Sequence, residues 1–300
     1  MKFAPIVLFT HSRLAHTGRA IDSLLRNPEA EASRLIVYSD GVRGPPDASA
    51  VRAVRSYLRG ISGFNSVQII QRETNYGLAR NIIEGVTEVL AEHRRAIVLE
   101  DDLVVSPHFL RFMNDALDLY VDVPQVASIH GYCYPVAEPL PETFFLRGAD
   151  CWGWATWSRA WAHFEPDGGR LLTQLRTREL TREFDLDGAY PFTRMLEDQV
   201  AGRNNSWAIR WHASCFLKDL LTLYPGRSLV ENTGNDASGT HCASTDDFSL
   251  TAATSPLHVE RIEPVPSTQA RRAFARFLDR HYSFQARASR AFRRWHRSTA

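Results

Sequence analysis

The sequence predicts an α/β fold, with a mostly parallel Rossmann-like central sheet flanked by helices. Three observations lead there. Short apolar runs that fit buried strands alternate with segments of helical spacing through residues 1–131. Three consecutive carboxylates follow the fourth of those runs. The second half then changes character, with longer irregular stretches and six of the seven Trp between Trp152 and Trp211, which predicts a mixed half joined to the parallel one.

The elements follow in order. Ile6 to Phe9 reads as the first strand and Thr17 to Leu25 as a helix. Leu35 to Tyr38 is a second strand ending at Ser39-Asp40-Gly41, and Ala50 to Leu58 a second helix. Val67 to Ile70 is a third strand. From Leu78 the apolar positions 79, 82, 83, 86, 89 and 90 keep helical spacing. Ala96 to Leu99 is a fourth strand, and strands separated by helices of this length imply right-handed crossovers. Ser106-Pro107 is a good N-cap and first-turn pair for the next helix, and Val126 to Ile129 reads as a fifth strand. Beyond it, Gly168 to Thr181 reads as a polar helix or loop, and Pro191 to Gly202 as a short helix. Ile209 to Leu223 reads as an amphipathic helix stopped by Pro225-Gly226, and Ser228 to Glu231 as a strand. The expected division is a mostly parallel half at 1–131, a mixed half at 132–262 and a basic helical tail at 263–300.

Composition sets the outer limits. Three hundred residues are enough to bury a sizeable core, and the apolar and charged fractions are ordinary for a globular chain. A formal net charge of +1 excludes a polyanion binder, so no nucleic-acid partner is expected. The last thirty residues differ: nine Arg stand against one acid, Asp279, among six aromatic residues. Such a segment either touches anionic lipid head groups or packs on the domain as a solvated helix. Cys133, Cys151, Cys215 and Cys242 have no zinc spacing and read as free thiols in a reducing compartment. The N-terminus reads as a strand rather than a signal peptide, and no run approaches the ~18 apolar residues that span a bilayer. A cytoplasmic location is expected, with the tail able to rest on the inner membrane as a peripheral contact.

The sharpest signal is Ile97-Val98-Leu99-Glu100-Asp101-Asp102, an apolar strand ending in three carboxylates with no basic neighbour in sequence. In open α/β sheets, ligands bind beyond the carboxyl ends of the strands. Three like charges there are costly unless a cation or hydrogen-bond donors compensate. Oxygen-only ligands suit Mg2+ or Mn2+. Such an ion would bridge two phosphates of a nucleotide-sugar and neutralise a departing diphosphate. An acidic cap on the following helix explains the same residues without a ligand.

Other candidates fall at the same rim. Asp40 can accept hydrogen bonds from a base or ribose, although Ser-Asp-Gly is also a good turn. In Asn75-Tyr76-Gly77-Leu78-Ala79-Arg80, Gly77 permits close backbone approach and Arg80 can pair with a phosphate; a helix cap with a solvated Arg is the alternative. His11, Ser12 and Arg13 can frame a base pocket or form a surface loop. Trp152, Gly153 and Trp154 suit a platform for the C–H faces of a sugar, with Gly153 leaving room between rings, or a core segment. Glu197 and Asp198 offer a base for an attacking hydroxyl, or a solvent-facing pair. His241, in a loop of small residues, can serve as a metal ligand, a phosphate donor or a surface residue.

The order of these pieces, Ser-Asp-Gly, Asn-Tyr-Gly-Leu-Ala-Arg, Leu-Glu-Asp-Asp, Trp-Gly-Trp-Ala-Thr-Trp, Glu-Asp and Gly-Thr-His, resembles the bacterial sugar transferases of the family 2 type. It is also similar to the Golgi N-acetylglucosaminyltransferase I group, which carries a Glu-Asp-Asp triplet. The resemblance runs from about Pro5 to about Cys242. It implies a GT-A fold with a mixed acceptor-side half, and an inverting, metal-dependent transfer of a hexosyl or N-acetylhexosaminyl group from a nucleotide-diphosphate sugar. It places Asp102 on the metal, Glu100 and Asp101 toward donor sugar and ribose, Asp40 on the base and Asp198 as catalytic base. The Golgi group has Asp-Asp-Trp where this chain has Glu197-Asp198-Gln199. A glycan or lipid-linked acceptor in lipopolysaccharide or exopolysaccharide synthesis would follow. Two other functions compete. A sugar-nucleotide pyrophosphorylase would want a Gly-rich basic loop after the first strand, which Thr10-His11-Ser12-Arg13 does not offer. A non-catalytic carbohydrate-binding protein would need the Trp cluster but not the acids.

Overall fold

The computed structural model describes residues 3–234, 248 and 250–282. The first half runs β1 (Ile6–Thr10), α1 (Leu14–Leu25), β2 (Arg34–Ser39), α2 (Ala48–Leu58), β3 (Ser66–Gln71), α3 (Leu78–His93) and β4 (Arg95–Glu100). Then come β5 (Leu103–Val105), α4 (Phe109–Leu119), β6 (Val126–His130), β7 (Thr143–Arg147), β8 (Trp154–Trp157) and α5 (Ser158–Trp161). The chain continues through α6 (Gly168–Thr177), α7 (Thr181–Phe184), α8 (Phe192–Val200), α9 (Trp207–Leu217), β9 (Leu221–Pro225), β10 (Val230–Asn232) and α10 (Thr268–Tyr282).

The eight-stranded sheet has the order β3-β2-β1-β4-β8-β6-β9-β7, and β5 pairs with β10 in a small second sheet. The strands β3, β2, β1 and β4 are mutually parallel. Their apolar runs are continuous because inner parallel strands are covered on both faces: β1 is buried along its whole length, whereas the edge strand β3 is only partly covered. β8 enters antiparallel between β4 and β6. A strand from the Trp-rich second half therefore sits inside the sheet of the first, and the halves share one sheet.

β8 also explains the density of Trp. Residues two apart on a strand share a face, so Trp154 and Trp157 point to opposite sides. Trp154 packs on Trp161, Trp207 and Trp211, with ring centroids 5.4–6.1 Å away. Trp157 Nε1 donates to the Leu117 carbonyl of α4.

The structure corrects the helix expected over Ile209 to Leu223. That helix ends at Leu217, and Leu221–Pro225 is a fully buried strand between β6 and β7. Asp219, at φ 55°, makes the turn. A five-residue apolar run serves either periodicity, and here the gap between two strands decides. β7 and β8 are additions that the sequence pattern did not separate from irregular chain.

The segment from Pro264 to Thr268 lies along the β7 edge, where Ser267 N donates to the Phe145 carbonyl. α10 follows and buries Ala270, Ala273, Phe274, Phe277 and Leu278 against the domain. Arg271 pairs with Asp187 and Arg276 with Glu138. Burying each large apolar side chain is worth on the order of 2 kcal/mol, so the described part of the basic tail is a docked helix whose apolar face is already used. Among the described residues no helix is long and apolar enough to cross a membrane.

Candidate functional site

The parallel strands end together, so their C-terminal loops form one rim. Glu100 is the last residue of β4 and lies opposite Phe9 of β1. Asp101 and Asp102 turn the chain into β5, which pairs with β10. Beyond β10, Thr233 N and Oγ1 both donate to the Asp102 carbonyl, at 2.8 and 3.0 Å. A Cβ on Gly234 would stand 2.3 Å from Asp102 Oδ2, so a side chain there would displace the carboxylate. His241 lies outside the described residues.

The triplet has a basic neighbour that its local sequence hides. Arg13, just after β1, donates through Nη2 to Asp101 Oδ1 and, at 2.8 Å, to Asp102 Oδ2. Its Nη1 is buried and has no hydrogen-bond partner. Burial opposes the charge on Arg13, but Asp101 and Asp102 together outweigh burial and hold it protonated. Arg13 thus contacts the carboxylates rather than framing a base pocket.

One guanidinium does not neutralise three acids. Burial, with repulsion from Asp102 and Asp101, pushes the Glu100 carboxyl up to about 8. Burial pushes Asp101 up to about 6, against the pull of Arg13. The site therefore favours either protons or further positive charge. A divalent cation fits this demand. Among the described residues no group of three His, Cys, Asp or Glu side chains is arranged to hold one. The fit is to an ion held by one or two carboxylates and completed by ligand phosphates and water, a common arrangement for Mg2+.

Asp40, at the end of β2, is 4 % exposed. Its Oδ1 accepts from Gly41 N and Tyr76 N, both at 2.8 Å. Its Oδ2 accepts from Asn75 Nδ2 and Gly77 N, both at 3.0 Å. Three of these four bonds, from Asn75, Tyr76 and Gly77, tie the β2 loop to the loop before α3. Arg55 backs this clamp by donating to the carbonyls of Asp40 and Arg72. His11 Nε2 sits beside it, 3.1 Å from the Gly41 carbonyl and 3.3 Å from Asp47. Gly77 has φ +70° and open space where a Cβ would point. Arg80 is engaged elsewhere: Nε donates to Glu84 at 2.7 Å, and its guanidinium lies over the Tyr76 ring.

The Trp residues separate. Trp154 is 1 % exposed and belongs to the core, so it cannot stack on a sugar. Trp152 is half-buried and meets Tyr132 edge to face at 4.7 Å. Gly153 provides no gap between rings. Its carbonyl accepts from Gly131 N, and a Cβ there would meet Val230 at 2.7 Å. Glu197 and Asp198 lie on α8, which packs on α6, α7 and α9. Arg176 and Arg194 hold Glu197, while Arg194 and Arg203 hold Asp198. Neither carboxylate contacts the triplet.

Two rim residues carried no role in the sequence reading. His130, at the end of β6, is fully buried with both ring nitrogens unpartnered. Asp150, before the Trp run, places Oδ2 3.7 Å from His130 Nε2. A His ending a buried strand was the available signal, and it needed β8 in place to acquire meaning.

No protein-family model matches the chain, and no curated protein matches it in sequence. Partial similarity to solved structures exists. S. aureus TarS shares 18 % identity over 50 % of this chain and 25 % of its own, with a TM-score of 0.33. The mannosyltransferase PcManGT from Pyrobaculum calidifontis, in complex with GDP-Man and Mn2+, shares 11 % over 42 % of this chain and 35 % of its own, with a TM-score of 0.30. The chain therefore spans a quarter of one and about a third of the other.

Proposed function

We propose that this chain is a GT-A-type glycosyltransferase that moves a sugar from a nucleotide-diphosphate sugar to an acceptor hydroxyl with a divalent cation. The observation that carries the reading is the Glu100-Asp101-Asp102 cluster at the tip of an inner parallel strand, under-neutralised by Arg13. Asp102 would hold Mn2+ or Mg2+, which when bound neutralises charge on the leaving diphosphate. Asp101, fixed by Arg13, keeps the neighbouring carboxylate in place. The Asp40 clamp sets the loop 75–77, whose open backbone at Gly77 offers a surface for the nucleoside. The transfer is a single displacement with inversion at the anomeric carbon.

The test is ligand-dependent stability. Ligands that bind only the native state raise its apparent stability by about 2.7 kcal/mol at a hundred times Kd. UDP, GDP and their sugars are expected to raise Tm for at least one base, and only with Mn2+. Asp102→Ala is expected to lose that shift while still folding, because Arg13 keeps Asp101 and the carbonyl of residue 102 still receives Thr233. An Asp102→Ala protein with the full Mn2+-dependent shift would remove the proposed ion site. A panel assay for sugar release from the same nucleotides then separates a transferase from a pure binder.

A further inference from the structure

Transfer to a hydroxyl needs a group that takes its proton, and Asp198 is poorly suited. Arg203 Nε and Nη2 both donate to its Oδ1, and Arg194 Nε lies 3.2 Å from the same atom. That oxygen is already occupied by two guanidinium groups, which stand where an acceptor hydroxyl would have to approach.

Asp150 is placed differently. Trp154 pairs across the sheet with both Val98 of β4 and His130 of β6. Trp152 therefore lies two residues before the rung that Glu100 lies two residues beyond, and both stand on the same rim. A Cβ on Gly153 would be 3.5 Å from Leu99, which brings the two strand ends together directly. Asp150 precedes this contact. Its Oδ1 accepts from Cys151 N, and no Lys or Arg pairs with it among the described residues. Its side chain keeps 28 % of its surface open. Beside it stands the His130 imidazole, wholly buried and with no hydrogen bond at either nitrogen. A buried polar ring without partners is rare and calls for water or ligand. The surrounding walls are aromatic: His130 meets Tyr224 at 5.1 Å and Tyr132 at 6.4 Å, and Tyr132 meets Trp152. The Asp150 charge also reaches Tyr190, ahead of α8; burial first, and then neighbouring charge, hold the Tyr190 hydroxyl protonated. A carboxylate free of cations within rings is a setting for a carbohydrate, with hydroxyls to the acid and C–H faces to the rings.

We propose that Asp150 receives the proton of the acceptor hydroxyl, with the half-buried Trp152 beside it to meet a carbohydrate ring and the buried Tyr132 and His130 packed behind them. The proposal rests on the transferase reading above. In the step, an oxygen lone pair of the acceptor forms the bond to the anomeric carbon. The bond from that carbon to the diphosphate oxygen breaks, and its electron pair leaves with the diphosphate. The hydroxyl proton passes to Asp150. His130 is a positioning residue, with its Nε2 3.7 Å from Asp150 Oδ2.

Donor hydrolysis, with water as acceptor, tests this without knowledge of the natural acceptor. The probes are UDP- and GDP-sugars with Mn2+. Asp150→Asn is expected to lose roughly 10²-fold or more in hydrolysis, while its Mn2+-dependent thermal shift with UDP or GDP stays at the wild-type value. Asp198→Asn is expected to stay within a few-fold of wild type. Formate, a small free carboxylate, is expected to restore part of the rate to Asp150→Ala. An Asp150→Asn enzyme that hydrolyses the donor at the wild-type rate overturns the proposal and leaves the transferase reading standing. A folded, nucleotide-binding Asp150→Ala protein without rescue assigns Asp150 a structural role and overturns it too. A wild type that hydrolyses no donor removes the transferase reading, and this proposal with it.

Discussion

Replacing Asp40 tests whether the rim is built as a clamp or merely turned by a good turn residue. In Asp40→Ala, the N–H groups of Gly41, Tyr76 and Gly77 and the amide of Asn75 lose their acceptor together. A hydrogen bond to a charged group contributes about 1.5–3 kcal/mol, and stranding a buried donor costs about 1–3 kcal/mol. Four such losses do not add, because Tyr76 and Gly77 are only half-buried and water can reach them. About 4 kcal/mol is the expected cost, a large part of a typical stability of about 5–15 kcal/mol. Unfolding entropy near 2.1 cal/mol/K per residue gives about 0.6 kcal/mol/K for 300 residues, so Tm should fall by about 6 °C. Asp40→Asn sharpens the test. Asparagine turns the chain as well as aspartate does, and its oxygen can still accept from Gly41 and Tyr76. Its amide then faces two donors, Gly77 N and Asn75 Nδ2. The clamp requires at least half the alanine loss. Thermal unfolding of both variants decides, and an Asp40→Asn protein within about 1 °C of wild type would refute the reasoning and leave a plain turn.

Three further outcomes are expected. Trp154→Ala should cost about 3–5 kcal/mol, as large core truncations do, whereas Trp152→Ala should cost less than half of that and lower turnover; equal stability losses in urea titrations would contradict the division into core and platform. Burial holds the His130 imidazole down at about 4, with Asp150 partly opposing, against about 6.5 in the unfolded chain. Below about 6.5 the unfolded state binds a proton that the folded state refuses, so this part of the stability is present at neutral pH and is lost, by about 3 kcal/mol in all, as pH falls to about 4. His130→Phe should flatten that slope, and identical slopes in urea titrations across the window would show the imidazole to be solvated. Arg13→Met should destabilise the ion-free protein by about 2 kcal/mol, the low side for breaking a buried pair because Arg13 keeps some solvent contact, and Mn2+ should restore more Tm to the variant than to wild type; no Tm change on substitution would show the bridge to be idle.

The legible part of the fold is the part whose residues are covered on both faces. β1, β2 and β4 read as strands because Ile6–Phe9, Leu35–Tyr38 and Ala96–Leu99 are unbroken apolar runs between helices long enough to cross over. β9 was hidden because Leu220 and Leu221 keep the spacing of the preceding helix, and only the vacancy between β6 and β7 converts Leu221–Pro225 to a strand. β8 was hidden because its alternation of Trp with small residues resembles a ligand platform. Its insertion between β4 and β6 is a long-range choice that no local pattern in Trp154–Trp157 encodes.

The same distinction governs the site. A triplet of acids after an apolar strand is local, so Glu100, Asp101 and Asp102 stood out unaided. Their counter-charge is not local: Arg13 lies 88 residues before Asp101 and reaches it only because β1 and β4 are neighbours in register. Asp40 shows a converse case, where the residue was visible but its lone pairs were not, since Tyr76 N and Gly77 N come from another loop. Glu197 and Asp198 looked available because Arg176, Arg194 and Arg203 are common surface residues with no stated partner in sequence. A carboxylate's chemistry depends on which cations reach it, and that is fixed by packing. For that reason Asp150, whose neighbours are a buried imidazole and aromatic rings, emerges only once β8 is threaded beside β6.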